Sequence, residues 1–345
     1  RLCVDSIGEW ETASIWIGYR NELKKVWSQR YPNSVGIWYS AMTQRIGLKP
    51  QEHEYILMGM AAIGDPDRLY KDIKNDFILQ MPSEQDGKVK FKINCHRGCR
   101  NWRTDLNTPQ DYADIAAATQ KLYENIFEGM LQYTSKITNM YNLVLMGGCA
   151  LNCFSNSIAY NYFDNVWVMP NPGDAGSSLG AAASLYNQKL RWKGPYLGTE
   201  IKSKSNPKEI ARYLYDYSVC GVASGRAEFG PRALGNRSLL ADPRHDIKDT
   251  VNDIKQRQKF RPFAPAILEE YADEYFEGPM NEYMQFVAKA KHEYKAVTHI
   301  DNTSRVQIVK KDCVSVIRPI LEEWYELTGC PMLLNLSLIH ISEPT

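Results

Sequence analysis

The stretch from residue 142 to residue 186 leaves this chain little choice of fold. NLVLMGG is a short apolar run closed by two glycines, and ALNCFSNSIAY has helical character. NVWVMP is a second apolar run, and PNPGDAGSSLGAAASLYNQ is a turn entering a helix of small residues. That order predicts a layered α/β domain, because two parallel strands need a helical crossover between them. Both turns also carry chemistry. Gly147 and Gly148 follow a strand and open a helix, which exposes backbone N–H groups where an anionic phosphate binds. Gly173 and Gly176 permit close approach of a ligand, and Asp174 brings a carboxylate to the helix entrance. Singly, each has a plainer explanation: close helix–strand packing for the glycine pair, an N-cap for Asp174. Together the two turns describe one half of a nucleotide cleft.

The rest of the chain organises around that region. A first domain is expected over residues 1–197. There LCVDSIGEWETASIWIG reads as strand, turn and strand, with Val4 ending the first run and Ser6–Gly8 turning the chain. Helices are expected over 36–47, over EYILMGMAAIG and over roughly 109–136, with a polar, basic, aromatic insertion between 83 and 108. Residues 194–207, rich in Gly, Pro and Ser, read as a linker. A second domain over 208–345 mixes strands (VCGVAS, PFAPAILE, VQIVK, PMLLNLS) with helices (PKEIARYLYD, HDIKDTVNDIKQ, SVIRPILEEWYELTG), which predicts an α+β class.

The second chemical signal lies in that domain. GRAEFGPRALGNRSLLADPR and KQRQKFRPFAP place Arg226, Arg232, Arg237, Arg244, Lys255, Arg257, Lys259 and Arg261 beside glycine and proline. A cation on a stiff turn is pre-organised for a small anion, and guanidinium groups suit the paired oxygens of phosphate or carboxylate. The plainer alternative is a set of structural arginines. Asn335 and Ser337 end an apolar strand nearby in sequence pattern, and His299 with Asp301 reads as proton handling or as a turn. In the 83–108 segment, Lys88, Lys90, Lys92, His96, Arg97, Arg100 and Arg103 alternate with Phe91 and Trp102, a mixture that suits nucleic acid or forms a solvated loop.

Composition narrows the field. A net charge of +1 gives no global attraction to nucleic acid or membrane, so such contact must come from a local patch. No apolar run approaches the roughly 20 residues that span a bilayer. Eight cysteines in 345 residues are too sparse for a disulfide scaffold, which predicts a reducing, cytoplasmic setting. CHRGC at 95–99 lacks a second ligand pair for a structural zinc. The N-terminal part of the first domain is expected to be missing, and residues from about Leu338 onward to be foreign.

Motifs along nearly the whole chain resemble the O-carbamoyltransferases of nodulation and antibiotic biosynthesis. They are VDSIGEWETASI (4–15), YPNSVGIWYSAMTQRIG (31–47), EYILMGMAAIG (54–64), LMGGCALNCFSN (145–156), VMPNPGDAGSSLGAA (168–182), the arginine block and THIDNTSRVQ (298–307). The resemblance extends to a branch that modifies hydroxymethylpyrimidines in viral DNA. It implies an actin-like (ASKHA) ATP-binding domain followed by a YrdC-like carbamoyl-phosphate domain. By this resemblance Gly147, Gly148, Asn152, Gly173, Asp174 and Gly176 bind ATP. Arg226, Arg232, Arg237, Lys255, Arg261, Arg305, Asn335 and Ser337 bind carbamoyl phosphate, with Arg232, Lys255, Arg261, Arg305 and Ser337 acting in catalysis. A divalent metal (iron, magnesium or manganese) would be held by Asp5, Asp174 and two histidines of an HxxxH helix. That helix is expected upstream of Arg1, since no pair among the six histidines has the spacing; Ile56 replaces a lysine common in relatives. The implied reaction is ATP-dependent transfer of a carbamoyl group, through carbamoyl-adenylate, to a hydroxyl. The acceptor is favoured as 5-hydroxymethylcytosine in DNA, with a small-molecule or sugar hydroxyl as the alternative and a homodimer as a further expectation. A non-catalytic ATP- or anion-binding regulator on the same fold stays open.

Overall fold

The computed structural model describes residues 1–186, 190–202 and 205–338. Residues 339–345, on which most of the expected foreign tail falls, lie outside the described residues, as do 203 and 204 of the expected linker. The chain forms two compact units, Arg1–Leu190 and Arg191–Thr345, both mixed α/β. Among the described residues no helix is long and apolar enough to cross a membrane.

The first unit opens with β1 (Leu2–Gly8), β2 (Glu11–Tyr19) and β3 (Glu22–Arg30). Then come α1 (Val35–Arg45), α2 (Glu54–Met60), α3 (Tyr70–Phe77), the short pair β4 (Ile78–Gln80) and β5 (Lys90–Phe91), and the 30-residue α4 (Pro109–Thr138). β6 (Asn142–Met146), α5 (Cys153–Ile158), β7 (Asn165–Val168) and α6 (Ser177–Tyr186) complete it. The main sheet runs β3-β2-β1-β6-β7, antiparallel through β3, β2 and β1 and parallel from β1 through β6 to β7. Local chemistry sets the helices. Thr108 and Asp111 make a reciprocal capping box with Pro109 in the first turn of α4. Ser34 caps α1 by accepting from the Ile37 N–H, and its hydroxyl donates to the Ser6 carbonyl at 2.5 Å. A Cβ at Gly36 would stand 2.7 Å from the Ser6 nitrogen, so this glycine lets α1 press directly on β1.

The second unit contains β8 (Tyr196–Ile201), α7 (Pro207–Tyr217), β9 (Val219–Ala223), β10 (Gly225–Glu228) and β11 (Arg237–Ala241). It continues with α8 (Lys248–Ile254), β12 (Ala264–Leu268), α9 (Ala272–Tyr275), β13 (Phe276–Glu277), β14 (Ala288–Ala290), β15 (Thr303–Ser304), β16 (Gln307–Val309), α10 (Ile317–Thr328) and β17 (Met332–Ser337). Its central sheet runs β16-β12-β17-β11-β9. Alternation along the strands fills two cores. Leu239, Ala241, Ile267, Met332 and Leu334 pack on one face; Leu240, Ala266 and Leu333 pack on the other with Leu214, Ile320 and Trp324 of α7 and α10.

Four expectations are corrected. β1 runs through Val4 to Gly8, so the turn falls at Glu9 and Trp10. ALNCFSNSIAY is not one helix: 3₁₀ turns at Gly148–Leu151 and Ala159–Asn161 flank the short α5. The expected linker contains β8, paired with β10. The 83–108 segment is no solvated insertion, since Val89, Cys95, Cys99 and Leu106 are buried and Arg45 of α1 donates to the carbonyls of Trp102, Arg103 and Leu106.

Candidate functional site

Three parallel strands of the first unit, β1, β6 and β7, end on one edge of the sheet. Ligands of open α/β sheets bind just beyond such strand ends. Asp5 lies near the end of β1, Gly147 and Gly148 follow β6, and the Pro172–Gly176 turn follows β7. The two turns touch: the Gly147 N–H donates to the Pro172 carbonyl at 2.8 Å. Gly147 has φ +90°, and a Cβ there would run into the Val4 carbonyl oxygen. Only glycine fits both the dihedral and the space. A Cβ at Gly148 would lie 3.1 Å from Asp5 Oδ1, and one at Gly173 would lie 3.7 Å from the Gly148 Cα.

The carboxylates of this edge face each other. Burial raises the Asp5 carboxyl above its usual range, and the negative charge of Asp174 adds to that. N–H groups of Ser6 and Gly148 oppose it, the former donating to Oδ1 at 2.7 Å. The helical turn at Asp174–Gly176 has no side-chain cap, and the Asp174 carboxylate finds no hydrogen-bond partner among the described residues. The N-cap explanation for Asp174 therefore fails. Asn152 lies behind the first turn. Its amide is paired with Gln120 (2.9 and 3.1 Å) and caps α5 through the Ser155 N–H, so it braces the turn from behind. Gln120 in turn accepts from Tyr39 and donates to Glu124, giving the turn a buried polar footing.

Asp5 and Asp174 do not amount to a resident metal site. Among the described residues no three His, Cys, Asp or Glu side chains converge to hold an ion. Asp5 and Asp174 alone do not make up the expected ligand set, and no step below passes through a metal. Cys95 and Cys99 belong to the core instead. Burial pushes their thiols up to about 11 and about 12, and the Cys99 Sγ donates to the Ala41 carbonyl at 3.1 Å.

In the second unit the arginine block divides. Arg237 is β-structure, not turn. Its guanidinium donates to the carbonyls of Ser224, Asn236, Thr199 and Gly225 at 2.7 to 3.2 Å, so it stitches backbone and offers little to a ligand. Arg244 forks onto Asp242 and lies over Trp324. Arg226 is exposed on β10, opposite Glu200. Lys255 behaves differently. It caps α8, is only 4% exposed, and donates from Nζ to the Ser337 carbonyl at 2.7 Å. Burial, followed by the charges of Arg257 and Arg261, pulls its ammonium down to about 8. No carboxylate forms an ion pair with it among the described residues. A buried cation with no carboxylate paired to it among the described residues is a candidate for an anion site.

Two orphaned polar atoms point to the same sheet. Asn335, 2% exposed, donates from Nδ2 to Gln307 Oε1 (2.7 Å) and to the Ala233 carbonyl (3.1 Å), while its Oδ1 is buried without a partner. Arg305 Nε is likewise buried and unpartnered. Gln307 donates to the Leu234 carbonyl, and Glu228 accepts the N–H groups of Leu234, Asn236 and Arg237. The loop carrying Arg232 is thereby pinned over β17. Gly235, at φ +120°, lets that loop pass Ser315 and Ile317, where a Cβ would come within 2.5 Å. The structure thus gathers Lys255, Arg261 and Ser337, and ties Asn335 to the Arg232 loop. Sequence reasoning missed Gln307 and Glu228; for Gln307 the signal was a lone polar residue in an apolar strand. His299 and Asp301 make a turn, with Asp301 accepting from the Thr303 N–H and hydroxyl.

Comparison with known proteins supplies the remaining constraint. A family model for the carbamoyltransferase N-terminus matches residues 1–183, and one for the carbamoyltransferase C-terminus matches 211–345. An uncharacterized protein of Synechocystis sp. is 32% identical over 99% of this chain and 68% of its own length. The nodulation protein NolNO of Sinorhizobium fredii is 32% identical, covering 99% of this chain and 56% of that protein. The nodulation protein NolO of Bradyrhizobium diazoefficiens is 32% identical, with 99% and 70% covered.

Proposed function

The chain belongs to the carbamoyltransferase family, and from that premise we propose that it carries out ATP-dependent O-carbamoyl transfer. Carbamoyl phosphate is a planar amide joined to a dianion. The buried Lys255, with no carboxylate paired to it among the described residues, is the single observation that carries the reading, because a ligand anion would favour its charged form. The orphaned Arg305 Nε supplies a further donor for the phosphoryl oxygens, and the orphaned Asn335 Oδ1 an acceptor for the amide N–H.

Water cleaves the donor to carbamate and phosphate, with the cations stabilising the departing phosphate charge. A carbamate oxygen then attacks the α-phosphorus of ATP, whose phosphates lie against the Gly147–Gly148 and Gly173–Gly176 turns. Pyrophosphate leaves. The acceptor hydroxyl attacks the carbonyl carbon of the carbamoyl-adenylate, releasing AMP and, to solvent, the hydroxyl proton. The favoured acceptor is the hydroxymethyl group of a pyrimidine in DNA, supported by the unpaired cations and exposed rings of the first unit.

Isotope exchange between ATP and pyrophosphate, dependent on carbamoyl phosphate, tests the first two steps. The chain catalyses it, and Lys255→Met lowers the rate by on the order of 100-fold, as loss of one pre-organised charge does elsewhere. Exchange indifferent to carbamoyl phosphate, or to Lys255→Met, rejects the reading, and absence of exchange favours an anion-binding regulator.

A further inference from the structure

The turn between β1 and β2 carries Trp10, 64% exposed. Its ring meets Tyr31 edge-on with centroids 6.3 Å apart, and Tyr31 meets His96 at 5.9 Å. The row is held together by backbone. The Tyr31 N–H donates to the Trp10 carbonyl, and Asn94 donates to the Tyr31 hydroxyl. The following segment is fastened to the end of β3: the Val89 N–H donates to Gln29 and the Phe91 N–H to Asn33. Lys90 lies between those two fastened residues, Arg30 precedes Tyr31 and stands opposite Glu11 of β2, and Arg97 follows His96 in the chain. Arg30, Lys90 and Arg97 are exposed, and none has an ion-pair partner among the described residues.

Stiffly mounted rings rimmed by unneutralised cations are unusual for a surface whose only task is to stay hydrated. Rings alone would suit a neutral sugar. The cations add attraction for a polyanion, and the rings add stacking faces that only unpaired bases can use. Position matters as well. Trp10 follows Asp5 by five residues along the carboxyl end of β1, at most roughly 17 Å along an extended chain. The aromatic row and the glycine-turn cleft therefore share one end of one strand.

We propose that Trp10, Tyr31 and His96, with Arg30, Lys90 and Arg97, form a docking surface for single-stranded nucleic acid that leads an unpaired base toward the cleft. This deepens the acceptor assignment and rests on it.

Fluorescence anisotropy with a labelled oligonucleotide of roughly a dozen nucleotides tests the surface without ATP or carbamoyl phosphate. A failure here leaves the exchange result standing, and a failure there leaves this one. Single strands bind with salt-sensitive affinity. Trp10→Ala weakens binding roughly tenfold with the salt slope unchanged. Arg97→Gln lowers the slope of log K against log salt by about 0.7, the share of one phosphate on a single strand. Trp10 and Arg97 are exposed, so melting temperatures of these variants match the parent. No binding, equal binding of duplex with no response to Trp10→Ala, or displacement by a neutral chito-oligosaccharide overturns the proposal.

Discussion

Lys255 concentrates the chemistry of the second unit in one proton. Its ammonium is drawn from 10.5 to about 8 by burial and by two neighbouring guanidinium groups. In the ligand-free protein, unfolding becomes harder as pH climbs from about 8 toward 10.5, because the unfolded chain keeps the proton that the folded chain has already lost. An arriving anion reverses the preference and draws the proton back. Affinity for inorganic phosphate, measured by titration calorimetry, is therefore highest below pH 8 and falls as pH rises through about 8. Lys255→Met removes that inflection. An inflection that survives the substitution belongs to another group and refutes the role given to Lys255. The lysine itself was legible from the sequence, in its dense cationic neighbourhood. Its lack of an acidic partner was not, since that depends on which carboxylates the fold leaves at a distance.

At the level of elements, the arginine block shows how similar residues acquire opposite tasks. Arg237 sits in β11 and binds four carbonyls from three segments, whereas Lys255 ends α8 and binds one. Arg237→Met should cost at least roughly 3 kcal/mol, because buried carbonyls lose their donors. Lys255→Met should leave stability unchanged or higher, since it removes a buried charge flanked by like charges. Urea midpoints at constant m report both; an Arg237→Met protein as stable as the parent would sink the structural assignment. The sequence could not separate these two. The carbonyls that Arg237 serves lie in β8, β10 and the turns beside them, and β8 was hidden in a Gly/Pro-rich stretch whose strand character comes only from pairing with β10. Helix α4 was legible almost to the residue, because its cap and apolar stripe are local. The 83–108 segment misled for the converse reason. Its charges dominate the composition, while the few residues that anchor it, Val89, Cys95, Cys99 and Leu106, are spread thinly.

On the scale of the molecule, the chain resolves into two units with separate sheets. Two cores of this kind predict a calorimetric unfolding enthalpy larger than the van't Hoff value, the sign of more than one cooperative transition. Equality of the two would mean that the units melt as one body. The order β-Gly-Gly to β-turn-helix was readable because each step is a short-range signal. The pairing of β1 with β6 was not, for those strands lie far apart in sequence and meet only through register.

That parallel register has a consequence for how such a protein can diversify. Adding a residue inside β1, β6 or β7 would flip side chains across the sheet and pull the glycine turns out of line. The hairpin tip that bears Trp10, and the long stretch between β4 and α4, carry no such constraint. Changes of length at the hairpin tip would thus leave the glycine-turn edge in place.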